Sequence, residues 1–242
     1  MLANPFPLPH VHTVSAAILP PTRSAKPLPL LLALLRLIIA LTAALAFTSV
    51  VLVTAQHASA AAPCSPVELV AARGTEEPGD LGDEVGDPLY GALQDALPVS
   101  VSAYRVDYPA TLEVHSPGLG SADLVQHLVD QAAACPDQRF IVAGYSQGAL
   151  VVHTALGTSL ADMVPGAAHL PPELNDRIAA VLLFGDPLRL FGAQVPGPYQ
   201  AHTGSWCNNG DPICQLGGLH PLAHIAYGDS ITNAALFSAR QL

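Results

Sequence analysis

Gly144-Tyr145-Ser146-Gln147-Gly148 carries the strongest chemical signal in the chain. It fits G-x-S-x-G, with an apolar run before it (Phe140 to Ala143) and small residues and valines after it. A strand entering and a helix leaving would make the turn very tight, and glycines two residues either side of the serine let neighbouring backbone approach without Cβ clashes. Such a bend lifts the Ser146 hydroxyl clear of a sheet edge. It also aims the Gln147 backbone N–H and the helix N-terminus at a reacting carbonyl oxygen, where they stabilise a developing oxyanion. The chemistry implied is attack by a serine oxygen on a carbonyl carbon.

A serine hydroxyl needs a base, and the base needs an orienting carboxylate. On a strand–turn–helix scaffold of this kind the chain order is Ser, then Asp or Glu, then His. Five histidines follow Ser146: His153, His169, His202, His220 and His224. His153 falls two turns into the helix and points away from its start, which suits a structural role, and His169 sits among prolines. His220 and His224 are the candidates for the base, and spacing alone does not separate them. For the carboxylate, Asp186 lies in Gly185-Asp186-Pro187 and Asp211 in Asn209-Gly210-Asp211-Pro212, both turn sequences. A short bridge between Cys207 and Cys214 would hold the Asp211 loop rigid, which favours Asp211. A second oxyanion donor is expected in the loop after the first strand, Arg73-Gly74-Thr75-Glu76, where Thr75 offers an N–H and a hydroxyl.

The elements that must hold these groups alternate in type. Val67 to Ala72, Val99 to Val106, Phe140 to Ala143 and Ile178 to Phe184 read as strands. Asp87 to Leu97 reads as a helix, with Leu89, Ala92, Leu93 and Ala96 on one face, Pro88 at its first position and Asp87 as its cap. Residues 107 to 120 read as loop. Ser121 is the expected cap of a second helix whose apolar face is Leu124, Val125, Leu128, Val129 and Ala132. Gln147 to Leu156 and Asp229 to Leu242 complete the helices, and Phe191 to Gly218 reads as irregular. Apolar strands alternating with helices predict an α/β fold with a mainly parallel sheet covered on both faces.

Composition narrows the partners. The chain has 242 residues, of which 12% are charged, and a formal net charge of −10. So acidic a protein lacks the clustered Lys and Arg that phosphate backbones require, which argues against a nucleic-acid partner. Leu37 to Ala55 is a run of 19 uncharged, mostly apolar residues with Arg23, Lys26 and Arg36 before it and Ala58-Ser59-Ala60 after it. That reads as a secretory signal occupying residues 1–60, cleaved after Ala60 or Ala62. An uncleaved anchor is the rival, and the one route to membrane contact. Residues 1–22 are long and proline-rich for a signal, as an over-extended start would be. Losing this segment removes three basic residues and no acidic one, leaving six arginines against 19 acids, a net charge of −13. Neutral substrates follow more readily than anionic ones. The four cysteines, Cys64, Cys135, Cys207 and Cys214, all lie beyond the signal. In an exported chain they predict two disulfides. Three connectivities are open, the close pair Cys207 and Cys214 being the natural local bridge. No C-x-x-C pair or H-E-x-x-H motif points to a metal.

Five segments in order resemble the cutinase family, especially the cutinase-like secreted esterases of actinobacteria. They are Ala72-Arg73-Gly74-Thr75-Glu76, Cys135-Pro136-Asp137, Gly144 to Gly148, Cys207-Asn208-Asn209-Gly210-Asp211-Pro212-Ile213-Cys214 and His224-Ile225-Ala226-Tyr227-Gly228. The resemblance covers most of residues 61–242. It implies a three-layer α/β hydrolase with a five-stranded sheet and no large lid. It also implies Ser146 as nucleophile, His224 as base and Asp211 as its orienter, Thr75 and Gln147 in the oxyanion hole, and the pairs Cys64–Cys135 and Cys207–Cys214. By the same likeness the protein is a secreted, monomeric serine ester hydrolase acting on short- to medium-chain esters without metal or organic cofactor. Fungal members carry serine where Thr75 stands, so plant cutin is not implied as the substrate. An acetyl-carbohydrate esterase, a phospholipase and a thioesterase share the expected triad, and a non-catalytic lipid- or partner-binding domain is the reading outside enzymology.

Overall fold

The structure, a computed structural model, describes residues 64–242. The expected signal segment lies outside the described residues. Five strands form one sheet: β1 (Val67–Ala72), β2 (Val101–Arg105), β3 (Arg139–Tyr145), β4 (Ile178–Phe184) and β5 (Thr203–Trp206). Their order is β2-β1-β3-β4-β5 and every pairing is parallel. Parallel neighbours require crossovers, here made by helices on both faces. On one face α2 (Ser116–Ala134) and α3 (Gln147–Ala155) pack on Val70, Val142, Val181 and Leu183; on the other, α1 (Gly86–Ala96) and α5 (Gly228–Ala239) pack on Leu69, Ile141, Leu182 and Phe184. Alternate residues of the central strands therefore serve two cores. This is why β1, β3 and β4 read as unbroken apolar runs. The architecture is the expected three-layer α/β/α hydrolase.

Several elements depart from the expectation. α2 begins at Ser116, with Pro117 in its first turn, not at Ser121. Ser121 is buried inside the helix, where its Oγ donates to Gly118 O (2.8 Å) and accepts from Ala168 N (3.1 Å). The glycines that suggested loop are close-packing positions: a Cβ on Gly118 would come within 1.9 Å of Pro165 O. Val129, expected on the apolar face, is exposed, while Leu124, Leu128 and Ala132 are buried. Asp87 does not cap α1, which starts at Gly86 with Val85 in the cap position; its carboxylate instead accepts from the backbone N–H groups of Asp80 and Leu81. The stretch read as irregular contains β5 and a one-turn helix, α4 (Gly197–Gln200). β5 is a four-residue edge strand, Thr-Gly-Ser-Trp, buried too little to show an apolar pattern.

Candidate active site

The site stands on the C-terminal ends of β1, β3 and β4. β3 runs into α3 through Ser146, whose backbone is φ 54° and ψ −116°. That is a positive-φ conformation which a residue with a Cβ adopts only under strain. The surroundings impose it. A Cβ on Gly148 would meet Ala72 O at 1.9 Å and one on Gly144 would meet Gly148 O at 2.4 Å, so the bend lies hard against the end of β1. Ser146 and Gln147 are left partly exposed at the tip.

From the tip a hydrogen-bonded chain runs inward. Ser146 Oγ lies 2.9 Å from His224 Nε2, and His224 Nδ1 lies 2.8 Å from Asp211 Oδ2. The hydroxyl donates to Nε2 when Nδ1–H donates to the carboxylate, the tautomer that leaves Nε2 free to take a proton. Asp211 is fully buried and His224 is half-buried. Burial works against the Asp211 charge, but hydrogen bonds from Tyr227, His224 and the Ile213 N–H together outweigh it and hold the carboxyl below its ordinary value of 3.8. The carboxylate is thus ionised opposite the imidazole.

His224 sits on a 3-10 turn, Pro221–Ile225, with no buried residue of its own. Its position is set by contacts made elsewhere. Asn208 Nδ2 donates to Ala223 O (2.8 Å) and Ala226 O (2.9 Å), and Tyr145 Oη donates to His224 O (2.7 Å). Gly185 leaves room for the imidazole, since a Cβ there would lie 2.7 Å from His224 Cε1. The Asp211 loop is closed by a Cys207–Cys214 disulfide, and a second disulfide joins Cys64 to Cys135.

The loop after β1 lies beside the bend. Tyr108 Oη donates to Arg73 O, and Arg73 Nη2 donates to Tyr108 O at 2.8 Å. Glu77 accepts from Gly74 N and from Glu84 N (2.8 Å), while Glu84 accepts from Tyr227 N. Burial raises the Glu77 carboxyl above its usual range despite those two N–H donors. These bonds tie the Thr75 loop to the turn that carries His224. Among the described residues neither the Thr75 nor the Gln147 backbone N–H finds an acceptor, as a pair of oxyanion donors requires. The Gln147 side chain is otherwise engaged: Nε2 donates to Thr111 O (2.7 Å) and Oε1 accepts from Ser116 Oγ (3.1 Å).

Two alternatives from the sequence go elsewhere. Asp186 accepts from the Leu188 N–H and pairs with His153 Nε2 at 3.0 Å in a sealed contact. His220 stands over Gly210 and donates its backbone N–H to Gly210 O; among the described residues it makes no bond to Ser146. The grouping of Cys207, Asp211 and Cys214 offers no thiolate to a metal, because its sulfurs form the disulfide. Sequence reasoning missed the hydroxyl of Tyr227, which is buried and donates to Asp211 Oδ2 at 2.6 Å. Its burial, with the neighbouring Asp211 charge, pushes the phenol's pKa well up, so it remains a donor. The signal was there in its place three residues after His224. Its reach across to Asp211 was not.

A family model, Cutinase, matches residues 63–242. A cutinase of Botryotinia fuckeliana is 39% identical over 178 residues, spanning 72% of this chain and 82% of the relative. The phospholipase Culp4 of Mycobacterium tuberculosis is 37% identical over 215 residues, 86% of this chain and 92% of the relative. Among solved structures, Trichoderma reesei cutinase in complex with a C11Y4 phosphonate inhibitor aligns with a TM-score of 0.61 at 31% identity, covering 74% of this chain and 77% of that one. In both extent and sequence identity these likenesses agree with the fold, and the chain belongs to the cutinase family.

Proposed function

We propose that this cutinase-family serine ester hydrolase works through Ser146 as nucleophile, His224 as general base and acid, and Asp211 as the group that orients and stabilises the imidazolium. The observation that carries the reading is the unbroken chain Ser146 Oγ–His224 Nε2–Asp211 Oδ2, at 2.9 and 2.8 Å, ending on a partly exposed hydroxyl. Ser146 Oγ attacks the ester carbonyl carbon as His224 Nε2 takes its proton. The oxyanion is held by the N–H groups of Thr75 and Gln147. Collapse of the tetrahedral intermediate breaks the C–O bond, and His224 returns the proton to the leaving alcohol. Water then adds to the acyl-enzyme, gives a proton to His224, and the acid departs with Ser146 restored. No step calls on a metal or an organic cofactor.

The site is complete within one chain, which supports action as a monomer. Two disulfides support an oxidising destination. Residues 1–60 are then a signal that precedes a hydrolase domain at 61–242, and the mature protein is extracellular. Hydrolysis of p-nitrophenyl butanoate by the wild type and by Ser146→Ala tests the mechanism, together with labelling by a fluorophosphonate. Loss of both in the variant is expected. Equal rates for the two proteins, or an unlabelled Ser146 in active enzyme, would remove the triad reading.

A further inference from the structure

The mechanism gives a part to every residue of Gly144-Tyr145-Ser146-Gln147-Gly148 except Tyr145. Tyr145 ends β3 and is only 6% exposed, although the serine that follows it is partly open to solvent. A buried hydroxyl is costly unless it is bonded, and phenylalanine would fill the same space without that demand. Tyr145 Oη meets the demand at one atom of the site, donating to His224 O at 2.7 Å. Burial first, then the charges of Glu84, Glu77 and Asp211, hold the phenol well above its ordinary pKa, so it stays a donor.

The ring of Tyr145 touches both halves of the site. Its centroid lies 5.1 Å from that of the His224 imidazole, with 30° between the two planes. An aromatic ring attracts a cation within about 6 Å of its centroid. The same ring lies against Gly74, the neighbour of Thr75: a Cβ on Gly74 would come within 2.9 Å of Tyr145 Cδ1 and Cε1. Tyr227, the donor to Asp211, packs edge-on to it at 5.8 Å.

We propose that Tyr145 is a positioning residue for the hydrolysis: its hydroxyl fixes the His224 backbone, its ring supports the imidazole, and the same ring sets where the Thr75 loop lies. The inference rests on the triad reading of Ser146, His224 and Asp211. His224 needs such a support, because its turn buries none of its own residues. The need is greatest once Nε2 has taken the serine's proton. The imidazolium then has Asp211 on Nδ1 and the Tyr145 ring beside it, while the oxyanion forms at the Thr75 and Gln147 N–H groups. Both charges arise in one step, so base and donors must keep one spacing, and a rigid ring in contact with both elements keeps it. Tyr145 itself exchanges no proton and touches no reacting atom.

The test compares the wild type with Tyr145→Phe, Tyr145→Leu and Gly74→Ala. Three quantities are read: kcat and KM on p-nitrophenyl butanoate, the melting temperature, and the low-field proton resonance of the His224 Nδ1–H. Tyr145→Phe keeps the ring and loses one hydrogen bond, so kcat should fall about fivefold with the resonance retained. Tyr145→Leu should lower kcat about a hundredfold, leave KM within about threefold, and shift or broaden the resonance. Gly74→Ala does not reach His224, yet by pressing on the ring it should move the same resonance. Its loss of kcat, about tenfold alone, should shrink to about threefold or less on the Tyr145→Leu background, where the ring is gone. Wild-type kcat in Tyr145→Leu overturns the proposal, as does a kcat that falls only with the melting temperature while the resonance stays put. If Tyr145→Leu does not fold, the other two variants decide: an unmoved resonance in Gly74→Ala, or unchanged kcat in Tyr145→Phe, overturns the proposal. Butanoate hydrolysis that survives Ser146→Ala would instead remove the triad reading, and the role of Tyr145 with it.

Discussion

Ser146–His224–Asp211 and Thr158–His153–Asp186 contain the same kinds of group: a hydroxyl, an imidazole and a carboxylate. Their hydrogen bonds are alike, 2.9 and 2.8 Å in the first and 2.9 and 3.0 Å in the second. They differ in access and polarity. The His224 side chain keeps 16% of its surface, while that of His153 keeps 1%. In the first chain Nε2 faces the hydroxyl and Nδ1 the carboxylate; in the second these are reversed. Thr158 follows the end of α3 and is buried, whereas Ser146 stands on a strained bend beside two N–H groups that find no acceptor among the described residues. On the proposed mechanism, three side chains in hydrogen-bonded order are not sufficient for catalysis. An oxygen that substrate can reach and donors for the resulting oxyanion separate a site from a strut.

The contrast can be broken at either end. The largest effect is expected at the open chain. Ser146→Ala and Asp211→Asn should each lower kcat on p-nitrophenyl butanoate by about 10⁴-fold or more, and in Ser146→Ala the thermal midpoint should stay near that of the wild type. Thr158→Val should retain activity within a few-fold. A comparable loss in Thr158→Val would erase the distinction. Asp186→Ala reverses the pattern: stranding a buried partner costs about 3–5 kcal/mol, which lowers the melting temperature by about 10 °C while kcat per folded molecule persists. Activity lost at an unchanged melting temperature would place Asp186 in the chemistry after all.

Smaller effects sharpen the comparison. Opening the short bridge with Cys207→Ser/Cys214→Ser should cost about 2.5 kcal/mol or less in urea unfolding and lower kcat, because the Asp211 loop loses its clamp. If kcat is untouched, the disulfide only stabilises. Tyr227→Phe should cost about tenfold in kcat/KM, roughly one hydrogen bond to a charged group. Asp211 has a folded pKa below 3.8, so its ionised form contributes stability above that value and loses it as pH falls through the lower folded value. Removing the Tyr227 donor raises the folded value towards the unfolded one, so the variant should be less stable at neutral pH, lose less on acidification, and finish that loss at a higher pH than the wild type. Coincident pH–stability curves would show that Tyr227 does not tune Asp211.

Much of this was legible before any coordinates. β1, β3 and β4 lie in the sheet's interior, so each shows as an apolar run, and the Ser146 bend has glycines where backbone meets backbone. β5 was hidden because an edge strand of Thr203, Gly204, Ser205 and Trp206 buries too little to leave a pattern. The first turn of α2 was hidden because Pro117, Gly118 and Gly120 resemble loop until the Pro165 segment that packs on Gly118 is known.

Local sequence determined the serine bend, the alternating elements, the acidic surface and the even cysteine count, because each follows from neighbouring residue types. Tertiary structure decided which carboxylate and which histidine meet Ser146. Asp186 and Asp211 occupy similar turns, and His220 and His224 sit four residues apart, so nothing local tells them apart. Burial against His153 takes Asp186 out of reach, and the grip of Asn208, Tyr145 and Tyr227 brings His224 and Asp211 together. These are contacts between residues as far apart as 79 positions, and only the folded chain's distances select them.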